Sequence, residues 1–195
     1  MNKVIAITSL SLVGVLMLAV ILMALIPINY NLKLQEKPSL ITVHSSAGKS
    51  SVFSADGSAT SKETYNKILE LYNNSGSFST LNSLFIGLWG KKVEPDRATT
   101  SQTISSLYPS GTYCIEFLYD TSQKMRNSDG SAYVWQANGE QSYKRLFVPV
   151  KSVNEVSALT YYVTDNDTAT TVSFTYSAYS NQFELHKYLA TLTYI

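Results

Sequence analysis

Residues 4–26, VIAITSLSLVGVLMLAVILMALI, carry no charge, and the next charged side chain after Lys3 is Lys33. As a helix this run is apolar on every side, so no rotation can present a polar face to water. Its 23 residues at about 1.5 Å each span about 34 Å, slightly more than the ~30 Å hydrocarbon core of a bilayer. Thr8, Ser9 and Ser11 are compatible with that setting because their hydroxyls can bond back to the preceding turn. Pro27 cannot continue a helix, and Asn29, Tyr30 and Asn31 suit the headgroup level. The expectation is a spanning anchor in contact with membrane lipid, with Val4 and Ile26 near its ends and Leu16 at its middle.

A cleaved signal peptide would have a shorter apolar core, about 7–15 residues, followed by a small-x-small cleavage site. This run is longer, no small pair stands at the right spacing after Ala24, and no cysteine follows for lipoprotein processing. An uncleaved signal-anchor is the better reading. Its direction is weakly marked: Lys3 and the terminal amine precede the run, and Lys33 and Lys37 follow it beside Glu36. A two-residue tail ahead of a long domain favours a cytoplasmic N-terminus, which puts the rest of the chain outside the cytoplasm. The domain organisation is then an anchor over residues 1–31, a stalk over 32–40 and an extracytoplasmic domain over 41–195.

Those last 155 residues suit one domain with a core of its own. Setting Lys3 aside leaves 14 basic residues (15 − 1) against 14 acidic ones, so the chain after the anchor, stalk included, is neutral. Nucleic-acid binders show a basic face or run, and none is present, so no nucleic-acid partner is expected. Charged residues make up 15% of the chain against the usual quarter, their place taken by Ser, Thr, Tyr and Asn. The single cysteine, Cys114, excludes an intramolecular disulfide. Within the apolar run TYCIEFLY it reads as a small buried hydrophobe rather than a nucleophile.

Along the domain, ITVHSS and SSVFS flank a Gly-containing loop and read as a β-hairpin, with Asp56-Gly57 turning the chain next. Tyr65, Ile68, Leu69 and Tyr72 recur at helical spacing behind Ser61 as N-cap, and Asn73-Asn74-Ser75-Gly76 closes that helix. Residues 78–89 fit helix or strand, and 90–110 form a Pro-, Ser- and Thr-containing connection. Strands follow: TYCIEFLYD, then SAYVWQ and SYKRLFVPV joined at Asn138-Gly139, then ALTYYVTD and TTVSFTYSAY joined at Asp165-Asn166-Asp167. Val172, Phe174, Tyr176 and Ala178 alternate with polar residues, so one face of that strand packs. Asn181 and Glu184 stand at capping-box spacing ahead of a last helix, with an edge strand as the alternative. The fold class is α+β: an N-terminal transmembrane helix, then a mostly antiparallel β-sheet packed by one to three helices on one side.

Motifs for chemistry are scarce. Gly48-Lys49-Ser50 matches the tail of a phosphate-binding loop, but position 43, where the first glycine belongs, is Val43, and a strand follows instead of a helix. No nucleotide is expected. His44 and His186 lack zinc-ligand spacing; joined in space by Glu116 or Glu184 they would form a site. No GxSxG is present, and the Asp165 turn lacks the Gly and Glu of a calcium loop, Thr170 and Tyr176 standing in their places. No catalytic, cofactor or metal residue is assigned, no cofactor is expected, and the chain does not read as an enzyme.

The aromatic residues are more informative. Tyr113, Tyr119, Tyr133, Trp135, Tyr143, Tyr161, Tyr162, Tyr176 and Tyr179 all fall on expected strands. They outnumber what one buried face needs, and exposed aromatics make contact platforms. Tyr133, Trp135, Tyr143, Tyr162 and Tyr179 are the candidate binding surface.

The apolar anchor, ITV hairpin, Asp-Gly turn, YNKILELYNN helix and run of strands resemble small signal-anchored proteins of Gram-positive bacteria. The resemblance covers the first 75 residues; it implies an extracytoplasmic domain and carries over no functional residues. A type IV pilin is similar only in outline, because its glycine–aromatic processing site and the glutamate after it are missing. The functional expectation is a single-pass, membrane-anchored binding or accessory module acting on a protein or envelope partner. The alternatives are a ligand sensor acting through its membrane helix and an envelope enzyme without a recognisable motif.

Overall fold

The computed structural model describes residues 2–25, 27–29, 34–79, 112–124, 142–152, 157–164 and 174–195. Two compact units share them. In the first, the apolar run forms helix α1 (Asn2–Leu25), followed by β1 (Pro27–Asn29), which pairs antiparallel with β4 (Ser77–Ser79). From Leu12 to Met23, where side chains are described, every large apolar residue is exposed, from 39% at Met23 to 66% at Met17. That stretch is twelve residues long, about 18 Å of helix, and among the described residues no helix is long and apolar enough to cross a membrane. Val4 and Ile26 lie outside the residues whose side chains are described.

The second unit is α+β. Six strands lie in the order β3-β2-β5-β6-β7-β8, every neighbouring pair antiparallel. They are β2 (Leu40–Ser45), β3 (Ser50–Ser54), β5 (Tyr113–Lys124), β6 (Ser142–Val150), β7 (Ser157–Thr164) and β8 (Phe174–Ser180). The β2–β3 hairpin forms where expected. The Gly48 N–H donates to the Ser45 carbonyl at 3.0 Å, and Gly48 itself sits at φ 78°. A glycine in this left-handed position closing a three-residue loop suits the strand twist, so Gly48-Lys49-Ser50 forms the turn of the hairpin and the start of β3.

Helix α2 (Ala59–Ser75) turns Tyr65, Ile68, Leu69 and Tyr72 into the core, as the spacing implies. Its N-cap is Ser58 and not Ser61: the Ser58 hydroxyl accepts the Ser61 N–H, while the Ser61 hydroxyl accepts the Ser54 N–H at 3.0 Å. Ser61 thereby ties the helix to the hairpin, and a Cβ on Gly57 would stand 2.7 Å from its Oγ. Helix α3 (Phe183–Leu189) bears out the helical reading of the C-terminal segment over the edge strand, with Asn181 Oδ1 accepting the Phe183 N–H. Buried Leu185 and Leu189 join the cluster of Ile41, Val43, Ile115, Phe117, Leu146, Val148, Val150 and Val163, so α2 and α3 cover the same sheet face.

One expectation changes. Part of the supposed stalk is docked on the domain: Leu34 packs against the core, and the Pro38 carbonyl accepts the Tyr65 hydroxyl. Strand β6 has β5 and β7 as neighbours, while SAYVWQ and the Asn138-Gly139 turn lie outside the described residues. So do residues 80–111, except that β4 makes the start of the 78–89 segment strand. Strand β5 also carries a break: its pairing jumps from Leu118↔Arg145 to Gln123↔Tyr143, leaving Asp120, Thr121 and Ser122 exposed.

Because Ile68 is fully buried between helix and sheet, Ile68→Ala is expected to cost about 2–5 kcal/mol by leaving a cavity. Ser58→Ala is expected to cost about 1 kcal/mol through the lost cap. Urea unfolding of the full chain in detergent micelles, followed by circular dichroism, checks both.

Candidate functional site

Side chains alternate across a strand, and the register sorts them. Ile41, Val43, Ile115, Phe117, Leu146 and Val148 line the helix-covered face. Thr42, His44, Cys114, Glu116, Arg145 and Phe147 line the other. That second face holds charge within an interior: Glu116 is 4% exposed, Arg145 6% and Phe147 fully buried.

Glu116 lies opposite Thr42 on one side and Phe147 on the other, one diagonal step from both His44 and Arg145. Diagonal neighbours on one face are within reach of long side chains. Glu116 Oε2 meets His44 Nε2 at 2.9 Å, and Oε1 accepts from Arg145 Nε at 2.7 Å and from the Arg145 terminal nitrogen. The Arg145 guanidinium also lies 5.2 Å from the Phe147 ring centroid, within cation–π range. Burial pushes the Glu116 carboxyl up, but the hydrogen bonds from His44 and Arg145, with their charges, outweigh it and hold it below the ordinary carboxylate value. An ionised Glu116 can only accept, so His44 Nε2 carries the hydrogen between them.

This arrangement can fix an imidazole in one orientation and tautomer, which is what a carboxylate does for a catalytic histidine. The adjacent thiol does not complete a nucleophilic pair. Cys114, directly across from His44, is fully buried, and burial, with the charge of Glu116, pushes its thiol up. Thiolate chemistry needs the opposite shift. Among the described residues no cluster of His, Cys, Asp and Glu could hold a metal.

His186 does not join His44. It rides on α3, its ring 5.2 Å from that of Tyr113 at the other face of the sheet, and Glu184 is on the same helix. Of the possible carboxylate partners, Glu116 reaches His44. Arg145 was not foreseen, although a lone Glu in CIEFL and a lone Arg in KRLFV, each inside an apolar strand, carry the signal for a buried pair.

The aromatic surface is corrected at one position. Tyr143 is fully buried, edge-on to Tyr119 with ring centroids 5.7 Å apart, so it is core and not surface. The cause is the register: Tyr143 pairs with buried Gln123 beyond the β5 break. Tyr162, opposite Phe147, is half-buried. Tyr133 and Trp135 lie outside the described residues, as does the side chain of Tyr179 on β8. No family model, curated protein or solved structure matches the chain.

Removing one partner of a buried ion pair costs about 3–5 kcal/mol, so Arg145→Met is expected to destabilise by that order. Glu116→Gln added to it should recover part of the loss, read from a double-mutant cycle of urea midpoints. A depressed folded-state pKa contributes stability above the unfolded value and loses it as pH falls. Stability should therefore decline below about pH 4.3, the ordinary glutamate value, and Glu116→Gln should flatten that decline. Cys114 should resist maleimide in the folded chain and react only on unfolding, followed by mass spectrometry.

Proposed function

We propose that the chain is a single-pass membrane protein whose α+β domain works outside the cytoplasm as a binding or accessory module, through surface contacts with a protein or envelope partner. The observation that carries this reading is α1: ten large apolar side chains between Leu12 and Met23 stand exposed on all sides of one helix. A helix apolar all round needs an apolar medium, and residues 4–26 extend the uncharged run to spanning length. The contact mode is supported by the balanced charge of the chain after the anchor and by a histidine–carboxylate–guanidinium cluster, half-buried at His44 and buried at Glu116 and Arg145, whose members bond one another. Tyr162, Tyr133, Trp135 and Tyr179 remain the residues proposed for the contact.

Fractionation and topology test the two halves of the proposal. Leu16→Arg, at a cost of about 3 kcal/mol at a helix centre, should move the protein from the carbonate-resistant membrane pellet into the supernatant. External protease on intact cells should remove the domain while a cytosolic control survives. A domain protected until lysis reverses the orientation, and a parent chain found wholly in the supernatant removes the anchor.

A further inference from the structure

Strand β3 is one edge of the sheet, and a short strap of the chain lies along part of it. Ser45 N–H donates to the Lys49 carbonyl, which sets the hydrogen-bonding phase of the hairpin. Ser51 and Phe53 point their backbone groups inward at β2, while Ser50, Val52 and Ser54 point theirs outward. The outward groups of Ser54 are taken, its N–H by Ser61 Oγ and its carbonyl by the Gly57 N–H. The Ser50 N–H donates to the Ile195 carbonyl at 3.3 Å, and the Ser51 hydroxyl donates to the Thr193 carbonyl at 2.8 Å. Between these two residues Tyr194 is pinned, stacked on Tyr113 at 5.6 Å and donating its hydroxyl to the Leu189 carbonyl at 2.7 Å. Among the described residues nothing meets the Val52 N–H and carbonyl, and the Val52 side chain is 57% exposed.

Sheet edges are ordinarily guarded by charge, by proline or by a covering segment. β3 reads SSVFS, with neither charge nor proline. We propose that residues 193–195 are a displaceable strap over an interaction edge, and that the occupant of the uncovered edge is β3 of a second copy of this chain. The edge is self-complementary. Two β3 strands run antiparallel about a two-fold axis at Ser51 pair Ser50 with Val52 of the partner strand in both directions. Every outward N–H and carbonyl of those residues is then satisfied, and Ser54 stays with Ser61 and Gly57. The side chains that meet are small or apolar, so no like charges oppose each other. Anchoring two copies in one membrane would raise their effective concentration and favour so short a pairing.

In that register Ser51 faces Ser51 of the second copy as a non-hydrogen-bonded pair, whose close Cα approach suits a disulfide. The test is Ser51→Cys, with Cys114→Ala, in the full chain and in a chain stopped after Leu192, both in detergent micelles under mild oxidation. The shortened chain is expected to give a disulfide-linked species of doubled mass, and the full chain mostly monomer. Adding Val52→Pro, which removes the outward N–H, should abolish the doubling. Dimers formed through α1 would appear equally in both chains and would survive Val52→Pro. A shortened chain with native circular dichroism and no doubling overturns the proposal, as does doubling that survives Val52→Pro. Should the shortened chain fail to fold, Tyr194→Ala in the full chain loosens the strap instead. Faster amide exchange at Ser50 together with crosslinking supports the proposal, and unchanged exchange refutes it.

Discussion

A single buried carboxylate joins the two halves of the sheet. The β2–β3 hairpin and the β6–β7–β8 meander touch the same central strand, β5, from opposite sides. Glu116 on that strand bonds His44 on one side and Arg145 on the other. Backbone ladders alone would tolerate a slip of register on a face that is polar or featureless. Here a slip of one residue in either half would break one of these two contacts, and a slip of the β6 half would part Glu116 from its guanidinium, which is among the costliest defects a core can hold. The cluster therefore acts on specificity of pairing more than on net stability, since a well-packed apolar replacement of a buried pair is often neutral.

The two faces divide the remaining work. The helix-covered face is built of Ile, Val, Leu and Phe under α2 and α3 and supplies the area-dependent term of the fold. The Glu116 face mixes a thiol, an ion cluster and Phe147 and supplies direction. Around the rim, short polar side chains fasten the elements together. Ser61 links α2 to β3, Ser51 links β3 to residue 193, and Ser39 donates both its N–H and its hydroxyl to the Leu118 carbonyl. The abundance of serine in a chain poor in charge thus has a structural use: each hydroxyl closes a backbone group that charge-rich surfaces would leave to water.

Much of this was legible in the residues. Helix α2, the β2–β3 hairpin, the β7–β8 pair and α3 follow from periodicity and turn chemistry, signals that are local in sequence. The misreadings are non-local. Ser61 looks like an N-cap until β3 arrives to take its hydroxyl, and Tyr143 looks like a platform residue until the break at Leu118 turns it against Tyr119. His44 and Glu116 are 72 residues apart and Arg145 lies 29 beyond Glu116. Their meeting depends on strand order, which alternation within a strand does not encode. His186 stands apart from His44 for the same reason, since the two histidines belong to opposite faces.

The balanced charge and the proposed anchor explain one another. A chain that balances 14 basic against 14 acidic residues once Lys3 is set aside has no long-range field to steer a partner, so encounter in free solution would proceed without the gain that complementary charge brings. Contacts made by tyrosine, valine and backbone edges act only at touching distance. Confinement to a membrane supplies by local concentration what charge does not. It also relaxes the demand on each contact, because a weak edge or a few aromatic side chains suffice once the partners share a surface. On the proposed reading the apolar helix would be part of the recognition mechanism and not only its address: detached from the membrane, the domain would lose the local concentration that the proposed anchor supplies.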